Sequence, residues 1–148
     1  MFYAPHIMIA SGSTPEPGTF TGAEYCMNSD DFFAMEELPK KMVVIGGGYI
    51  GVELAQILCA FGVKVTLVMR STPLKFVDSD IIDILVENMG KLGIDVRLNS
   101  PHESVRKNWD GTLTVNLQNG ETIDTDKCLL AMGRPPNLKG LGLENTSI

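Results

Sequence analysis

The sequence lacks the features that mark nucleic-acid-binding, membrane-spanning and secreted proteins. It has 12 Lys and Arg against 18 Asp and Glu, a net charge of −6, so no basic surplus is available to neutralise an extended phosphate backbone. No apolar run approaches the roughly 20 residues that cross a bilayer, and the N-terminus has no signal-peptide layout. We therefore expect a cytoplasmic protein with neither a nucleic-acid nor a membrane partner.

Cysteine and histidine are also scarce and scattered. The three cysteines, Cys26, Cys59 and Cys128, contain no C-x-x-C pair, and the two histidines, His6 and His102, have no metal-ligand spacing. Cysteines of this kind pack as small apolar side chains. No nucleophile with its base is recognisable, so we predict no metal site and no catalytic residue within the chain.

What is present is the hydrophobic pattern of an α/β protein, and 148 residues suffice for one domain with a buried core. Strand-like and helix-like periods alternate along the middle of the chain. The predicted elements there are strands at Met42–Ile45, Val63–Met69 and Ile94–Leu98, a helix from about Tyr49 to Phe61, and a helix capped by Asp78 or Ser79 that ends at Gly93. This alternation predicts a parallel sheet with right-handed crossovers.

Both ends of the chain add further elements. These are a strand at His6–Ala10 with a linker to Gly18, a capped helical turn at Ser29–Met35, a hairpin of Leu113–Leu117 and Thr122–Asp124 around Asn119-Gly120, and a last strand at Cys128–Met132. The predicted fold class is α/β, a Rossmann-like parallel sheet with flanking helices and an antiparallel β-meander insertion.

The most informative segment is the glycine motif Gly46-x-Gly48-x-x-Gly51, which lies between a predicted strand and a predicted helix. In dinucleotide-binding folds the first glycine allows a tight turn, the second lets the backbone approach the pyrophosphate, and the third lets helix and strand pack closely. The helix N-terminus offers free N–H groups and a partial positive charge to the phosphates.

The end of the second strand indicates which dinucleotide binds. An NAD or FAD site usually has an acid there for the ribose hydroxyls, about 20 residues past the glycines, but the strand ends in Met69-Arg70. A guanidinium suits a 2′-phosphate, and Lys75 could add a second charge. Gly133-Arg134 follows the last strand, where Gly133 would allow close approach and Arg134 would add charge near the cofactor. We predict NADPH rather than NADH.

These segments resemble the NADPH domain of a glutathione reductase, within the flavin-dependent pyridine nucleotide-disulfide oxidoreductases. The matching segments are, in family order, His6–Ser13, Ser29–Phe33, Gly46–Ala55, Val68–Arg70, and Ala131–Arg134 with Pro136-Asn137. They span nearly the whole chain. Two positions depart from the family pattern: Lys75 stands where a second arginine is usual, and Ser11 where threonine is usual.

The resemblance implies roles for individual residues. Tyr49 matches the aromatic that covers the flavin and moves aside for the nicotinamide, and Glu53 matches an acid that pairs with a lysine beside the flavin, a lysine absent here. The candidate cofactor-binding residues are Gly46, Gly47, Gly48, Tyr49, Ile50, Gly51, Glu53, Arg70, Ser71, Lys75, Gly133 and Arg134.

The resemblance also implies what lies outside the chain: the C-x-x-x-x-C disulfide, the acid–base histidine and the main flavin-binding glycine motif. We therefore expect an excised or truncated central domain, inactive alone, from a parent that passes hydride from NADPH to FAD and then to a disulfide. Residues 1–18 would be a remnant strand of the FAD domain with a linker, 19–136 the NADPH-binding domain, and 137–148 the return to the FAD domain. The implied partners are NADPH, the FAD domain and a dimerisation domain, in a homodimeric parent.

Other parents remain open. Glu24-Tyr25-Cys26 with Ser29-Asp30-Asp31 also resembles large thioredoxin reductases, and trypanothione reductase is a further alternative. A stand-alone module that binds NADPH without catalysis is the alternative from a different functional class.

Overall fold

A computed structural model describes residues 4–146 of the chain. In chain order its elements are α1 (Ser29–Phe33), β1 (Lys41–Ile45), α2 (Tyr49–Ala60), β2 (Lys64–Val68), α3 (Ser79–Lys91), β3 (Asp95–Arg97), β4 (His102–Lys107), β5 (Leu113–Leu117), β6 (Thr122–Thr125) and β7 (Lys127–Leu130). Short 3-10 helices cover Ala23–Tyr25 and Leu143–Asn145. No helix among residues 4–146 is long and apolar enough to cross a membrane.

The central sheet has four parallel strands in the order β3-β2-β1-β7. Its inner strands are almost entirely buried because both faces are covered, as near-continuous apolar runs such as Met42–Ile45 require. Helices α2 and α3 pack on one face, where Leu58 and Met89 are fully buried. The separate antiparallel sheet β4-β5-β6 covers the other face through Val115 and Leu117. The predicted α/β class with a parallel sheet and an antiparallel insertion is confirmed.

Two features differ from the sequence prediction. The segment His6–Ala10 forms no strand and is exposed along its length; an extended segment becomes a strand only beside a hydrogen-bonding neighbour, and residues 6–10 have none in the described part of the chain. The predicted strand there is wrong for this structure. Conversely, β4 was not predicted, because Val105 is its one fully buried side chain and the remaining residues read as polar.

The chain enters the sheet through a short capped helix. The Asn28 side chain accepts hydrogen bonds from the backbone N–H groups of Asp30 and Asp31, and Asp31 accepts one in return from the Asn28 backbone. This reciprocal arrangement is a capping box, which stabilises a helix start. The predicted capped turn is confirmed, and it sets the position of Ser29 and Asp30 beside β7.

Candidate functional site

An open cavity of about 720 Å³ lies at the carboxyl ends of β1, β2 and β7. Ligands of parallel α/β sheets bind at this edge. The cavity is lined by most of the sequence-predicted site residues, namely Gly46, Gly47, Gly48, Tyr49, Ile50, Arg70, Ser71, Lys75, Gly133 and Arg134. Gly51 and Glu53 lie outside the lining. The fold therefore brings together segments that are separated by nearly 90 residues in the sequence.

The glycine turn has the geometry that its spacing predicts. Gly46 has φ +129°, and a Cβ there would overlap the Ala131 carbonyl oxygen of the turn that follows β7. A Cβ at Gly51 would overlap the Gly46 carbonyl oxygen, so only glycine lets α2 approach the strand this closely. At Gly48, apart from its own atoms and its two chain neighbours, no heavy atom of the described residues lies within 4 Å of the Cβ position, and this glycine lines the cavity.

The N-terminus of α2 is prepared for an anion. Gly48 is the N-cap and supplies no side-chain cap, and the first turn carries no acidic residue. The N–H groups of the first turn therefore keep their hydrogen-bonding capacity, and the helix dipole adds partial positive charge. Twelve residues of continuous helix stand behind this end. A diphosphate is the ligand that such an end favours.

The loop after β2 is attached to the glycine turn. The Leu74 backbone N–H donates to the Gly47 carbonyl oxygen at 2.8 Å, and Leu74 itself adopts φ +44°, a conformation that non-glycine residues rarely take. The Val77 backbone N–H donates to the Leu74 carbonyl oxygen at 2.8 Å. The loop that carries Arg70 and Lys75 is thus fixed beside the place where a diphosphate would lie.

Arg70 and Lys75 are both exposed at the edge of the cavity. Within residues 4–146 neither side chain makes a hydrogen bond or ion pair. Both positive charges are consequently available to a ligand. No Asp or Glu lines the cavity in the described part of the chain, so a ligand's phosphate would meet no opposing carboxylate there.

Arg134 is placed differently from the other two cations. Its guanidinium donates to the Ser29 hydroxyl at 2.8 Å, to Asp30 Oδ1 at 3.1 Å and to the Ser13 carbonyl oxygen at 3.2 Å. It therefore holds the N-terminal connector and α1 against the turn after β7, and Asp30 balances its charge. The sequence analysis predicted that Arg134 adds positive charge near a cofactor; because Asp30 pairs with it, Arg134 offers less net charge to a ligand than Arg70 does.

Tyr49 and Glu53 lie on successive turns of α2. Tyr49 is 63% exposed at the start of the helix and lines the cavity, as an aromatic that covers a bound ring would require. Glu53 is exposed one turn later and forms no ion pair within residues 4–146.

Sequence reasoning missed the wall contributed by the antiparallel sheet. His102 and Gln118 line the cavity opposite the glycine turn, and the His102 ring packs edge-on against Phe20 with centroids 4.5 Å apart. Burial, and secondly the charge of Arg70, lower the pKa of His102 below 6.5. No local spacing signals this residue, because its neighbours come from distant segments.

Replacing Arg70 with methionine should raise the pKa of His102 towards 6.5, because one of the two causes of its depression is removed. An NMR pH titration of the His102 ring measures this pKa. Arg106→Met, which removes an exposed arginine from the same strand, should leave the His102 pKa unchanged. If the pKa of His102 were unchanged in Arg70→Met, the charge of Arg70 would not be a cause of its depression.

The lowered pKa of His102 also makes the stability of the fold depend on pH. Because the pKa of His102 is lower in the folded state than in the unfolded state, the contribution of neutral His102 to stability is present above about pH 6.5 and is lost as the pH falls.

Comparison with known proteins identifies the family. A family model described as pyridine nucleotide-disulphide oxidoreductase matches residues 2–148. The chain belongs to this family, whose members use FAD and NAD(P)H.

Two curated relatives are similar over the whole chain. Glutathione reductase of Schizosaccharomyces pombe is 37% identical over 151 residues, covering 100% of this chain and 32% of that protein. Trypanothione reductase of Trypanosoma congolense is 36% identical over 149 residues, covering 98% of this chain and 30% of that protein. The chain therefore spans about a third of the length of these relatives.

Solved structures show the same fold. The HOCl-induced flavoprotein disulfide reductase RclA of Escherichia coli superposes with a TM-score of 0.84 at 29% identity, over 94% of this chain and 32% of that one. An engineered water-forming NADPH oxidase, solved with NADPH bound, gives a TM-score of 0.79 at 26% identity, over 91% of this chain and 31% of that one.

Proposed function

We propose that this chain is the NADPH-binding domain of a glutathione reductase-like flavoprotein disulfide reductase, and that it presents NADPH to FAD bound elsewhere in the parent protein. The observation that carries the proposal is the cavity itself, which combines a glycine turn at a helix N-terminus with two cations, Arg70 and Lys75, that have no partner within residues 4–146. Among those described residues, no carboxylate lines the cavity. When bound, NADPH would supply a hydride and FAD would accept it.

Different residues along the cavity would bind different parts of the coenzyme. The backbone from Gly46 to Gly51 and the start of α2 would hold the pyrophosphate. Arg70 would bind the 2′-phosphate through paired charge-assisted hydrogen bonds, and Lys75 would add a point charge. Tyr49 would cover the nicotinamide end of the coenzyme. Gly133 would leave room there, since no other described residue comes within 4 Å of its Cβ position, its chain neighbours aside.

A comparison of two solved relatives supports the assignment of Arg70 and Ser71. A water-forming NADH oxidase from Lactobacillus brevis was solved with NADH, and its engineered NADPH-using form was solved with NADPH. Among the five substitutions of the engineered form, one removes an aspartate and the two that follow it create an Arg-Ser dipeptide. This chain carries Arg70-Ser71 after β2 without any engineering.

The 148-residue chain should bind NADPH roughly tenfold or more tightly than NADH, because each charge-assisted hydrogen bond contributes about 1.5–3 kcal/mol. Isothermal titration calorimetry with both coenzymes measures this preference. The adenosine fragments, adenosine 2′,5′-bisphosphate and AMP, should show the same preference, since the discriminating phosphate lies on that half.

Higher salt should narrow the difference, because Arg70 and Lys75 are exposed and their charges are screened. Equal affinities for NADPH and NADH at low salt would remove the argument from Arg70. If the chain preferred NADPH to NADH but bound adenosine 2′,5′-bisphosphate and AMP equally, the contact that distinguishes the two coenzymes would not be at the adenosine half.

A further inference from the structure

Two thiols lie near the amino-terminal end of β7, whereas the coenzyme cavity is at its carboxyl end, and neither thiol lines that cavity. The Met27 backbone N–H donates to the Cys128 carbonyl oxygen at 2.9 Å, and the Leu130 N–H donates to the Met27 carbonyl oxygen at 2.8 Å. Met27 pairs with Leu129 in parallel register. Cys26 therefore lies directly across from Cys128, one residue back on each segment.

Side chains at directly opposed positions of a parallel pair point to the same face. The structure agrees, since a side-chain hydrogen-bonding interaction between Cys26 and Cys128 is the main cause of the shifted pKa of each thiol. Cys26 Sγ also donates to the Gly22 carbonyl oxygen at 3.8 Å. Both are free thiols. Neighbouring strands lie about 4.8 Å apart, within the Cα separations that a disulfide spans.

The two thiols have complementary properties. The hydrogen bond from Cys128 lowers the pKa of the Cys26 thiol, against the opposing effects of its burial and of Glu24. The same hydrogen bond, together with burial, raises the pKa of Cys128 well above its usual value. Cys26 is half-buried, whereas Cys128 is 1% exposed. A partly exposed thiol with a lowered pKa beside a buried second thiol is the arrangement of a redox-sensing pair.

We propose that Cys26 and Cys128 form an oxidisable dithiol, separate from the disulfide of the parent enzyme, which a hydroperoxide converts into a disulfide. The Cys26 thiolate attacks the peroxide oxygen, so the O–O bond breaks, a sulfenic acid forms, and the leaving oxygen takes a proton. Cys128 sulfur then attacks the sulfenic sulfur, its own proton leaves with the departing hydroxyl as water, and the S–S bond forms. With hydrogen peroxide, two thiols and one peroxide give one disulfide and two waters; with an organic hydroperoxide, one of the two waters is replaced by the alcohol. Each thiol is oxidised by one electron and the peroxide is reduced by two.

The crosslink would tie β7 to the connector that leads into α1. The first residues of α1, Ser29 and Asp30, hold Arg134 at the edge of the cavity. Oxidation would thus fix one rim of the coenzyme cavity without touching a residue that lines it. The proposal does not depend on the identity of the coenzyme, and its test uses none.

The test exposes the 148-residue chain to hydrogen peroxide, then alkylates free thiols and records the intact mass and a non-reduced peptide map. The expected result is a monomer that has lost two hydrogens, with one linked peptide containing Cys26 and Cys128, and full recovery of both thiols with dithiothreitol. Cys59 is the internal control. Its thiol donates to the Leu92 carbonyl oxygen at 3.2 Å, and it packs against a different core cluster from Cys26 and Cys128, so it should stay alkylatable.

Variants separate the two roles. Cys128→Val keeps an apolar side chain in the core and should leave Cys26 as a persistent sulfenic acid, trapped by dimedone. Cys26→Ser should protect Cys128, whereas Cys59→Ser should change nothing. Linkage of Cys26 to Cys59, crosslinked dimers in place of the internal bond, or a Cys128 that alkylates fully after oxidation of a chain with native circular dichroism would each overturn the proposal.

Discussion

Replacing Arg70 with glutamate should weaken NADPH binding by roughly 100-fold while changing NADH binding by only a few-fold, since a charge-assisted bond contributes about 1.5–3 kcal/mol and a carboxylate adds repulsion. The side chain is exposed and makes no hydrogen bond or ion pair within residues 4–146. The fold should therefore be unaffected. Titration calorimetry of both coenzymes against the variant measures the effect.

Arg106→Glu is the matched control for this substitution. Arg106 is an exposed arginine on β4 that does not line the cavity, so the same change of charge there should alter the binding of both coenzymes equally and slightly. If Arg106→Glu reduced NADPH binding as strongly as Arg70→Glu, the effect would come from net charge and not from a contact with the 2′-phosphate.

Two helical glycines should respond to alanine with opposite signs. Gly51→Ala in α2 should destabilise the fold by about 1–3 kcal/mol, because its methyl would overlap the Gly46 carbonyl oxygen. Gly90→Ala in α3 should stabilise by about 0.5–1 kcal/mol, because a Cβ there meets open space and alanine favours the helix. Urea unfolding followed by circular dichroism measures both.

The sign difference is the informative quantity, since helix propensity alone predicts that both substitutions stabilise. A stabilised Gly51→Ala would mean that α2 is not pressed against the glycine turn. Weakened NADPH binding in Gly51→Ala, with binding unchanged in Gly90→Ala, would further show that the close packing sets the position of the helix N-terminus.

Local patterns were enough to predict the parts of the site that neighbours in sequence determine. The Gly46-x-Gly48-x-x-Gly51 spacing predicts both the turn and the helix start, because each glycine is needed by backbone atoms within the same β-turn-α unit or directly beside it. The location of Arg70 at the edge of the cavity is predicted solely from its position directly after β2. The parallel sheet is predicted because its inner strands are buried on both sides and read as continuous apolar runs.

What the sequence does not disclose depends on distant partners. Arg134 donates hydrogen bonds to Ser29 and Ser13, which are 105 and 121 residues away in the sequence. Nothing in the sequence around Arg134 indicates that its guanidinium holds these distant segments. Strand β4 reads as polar because it lies at a sheet edge. The thiol pair is equally hidden, since Cys26 and Cys128 are brought together only by the pairing of Met27 with Leu129.

Arg70 and Lys75 make no hydrogen bond or ion pair within residues 4–146, and this has an evolutionary consequence if the proposed function holds. Neither side chain supports the packed layers, so changing them should leave the architecture intact, whereas Gly46 and Gly51 admit no substitute without distorting the backbone. Descendants of such a domain could exchange one nicotinamide coenzyme for the other through a few surface mutations, each compatible with a folded intermediate along the way.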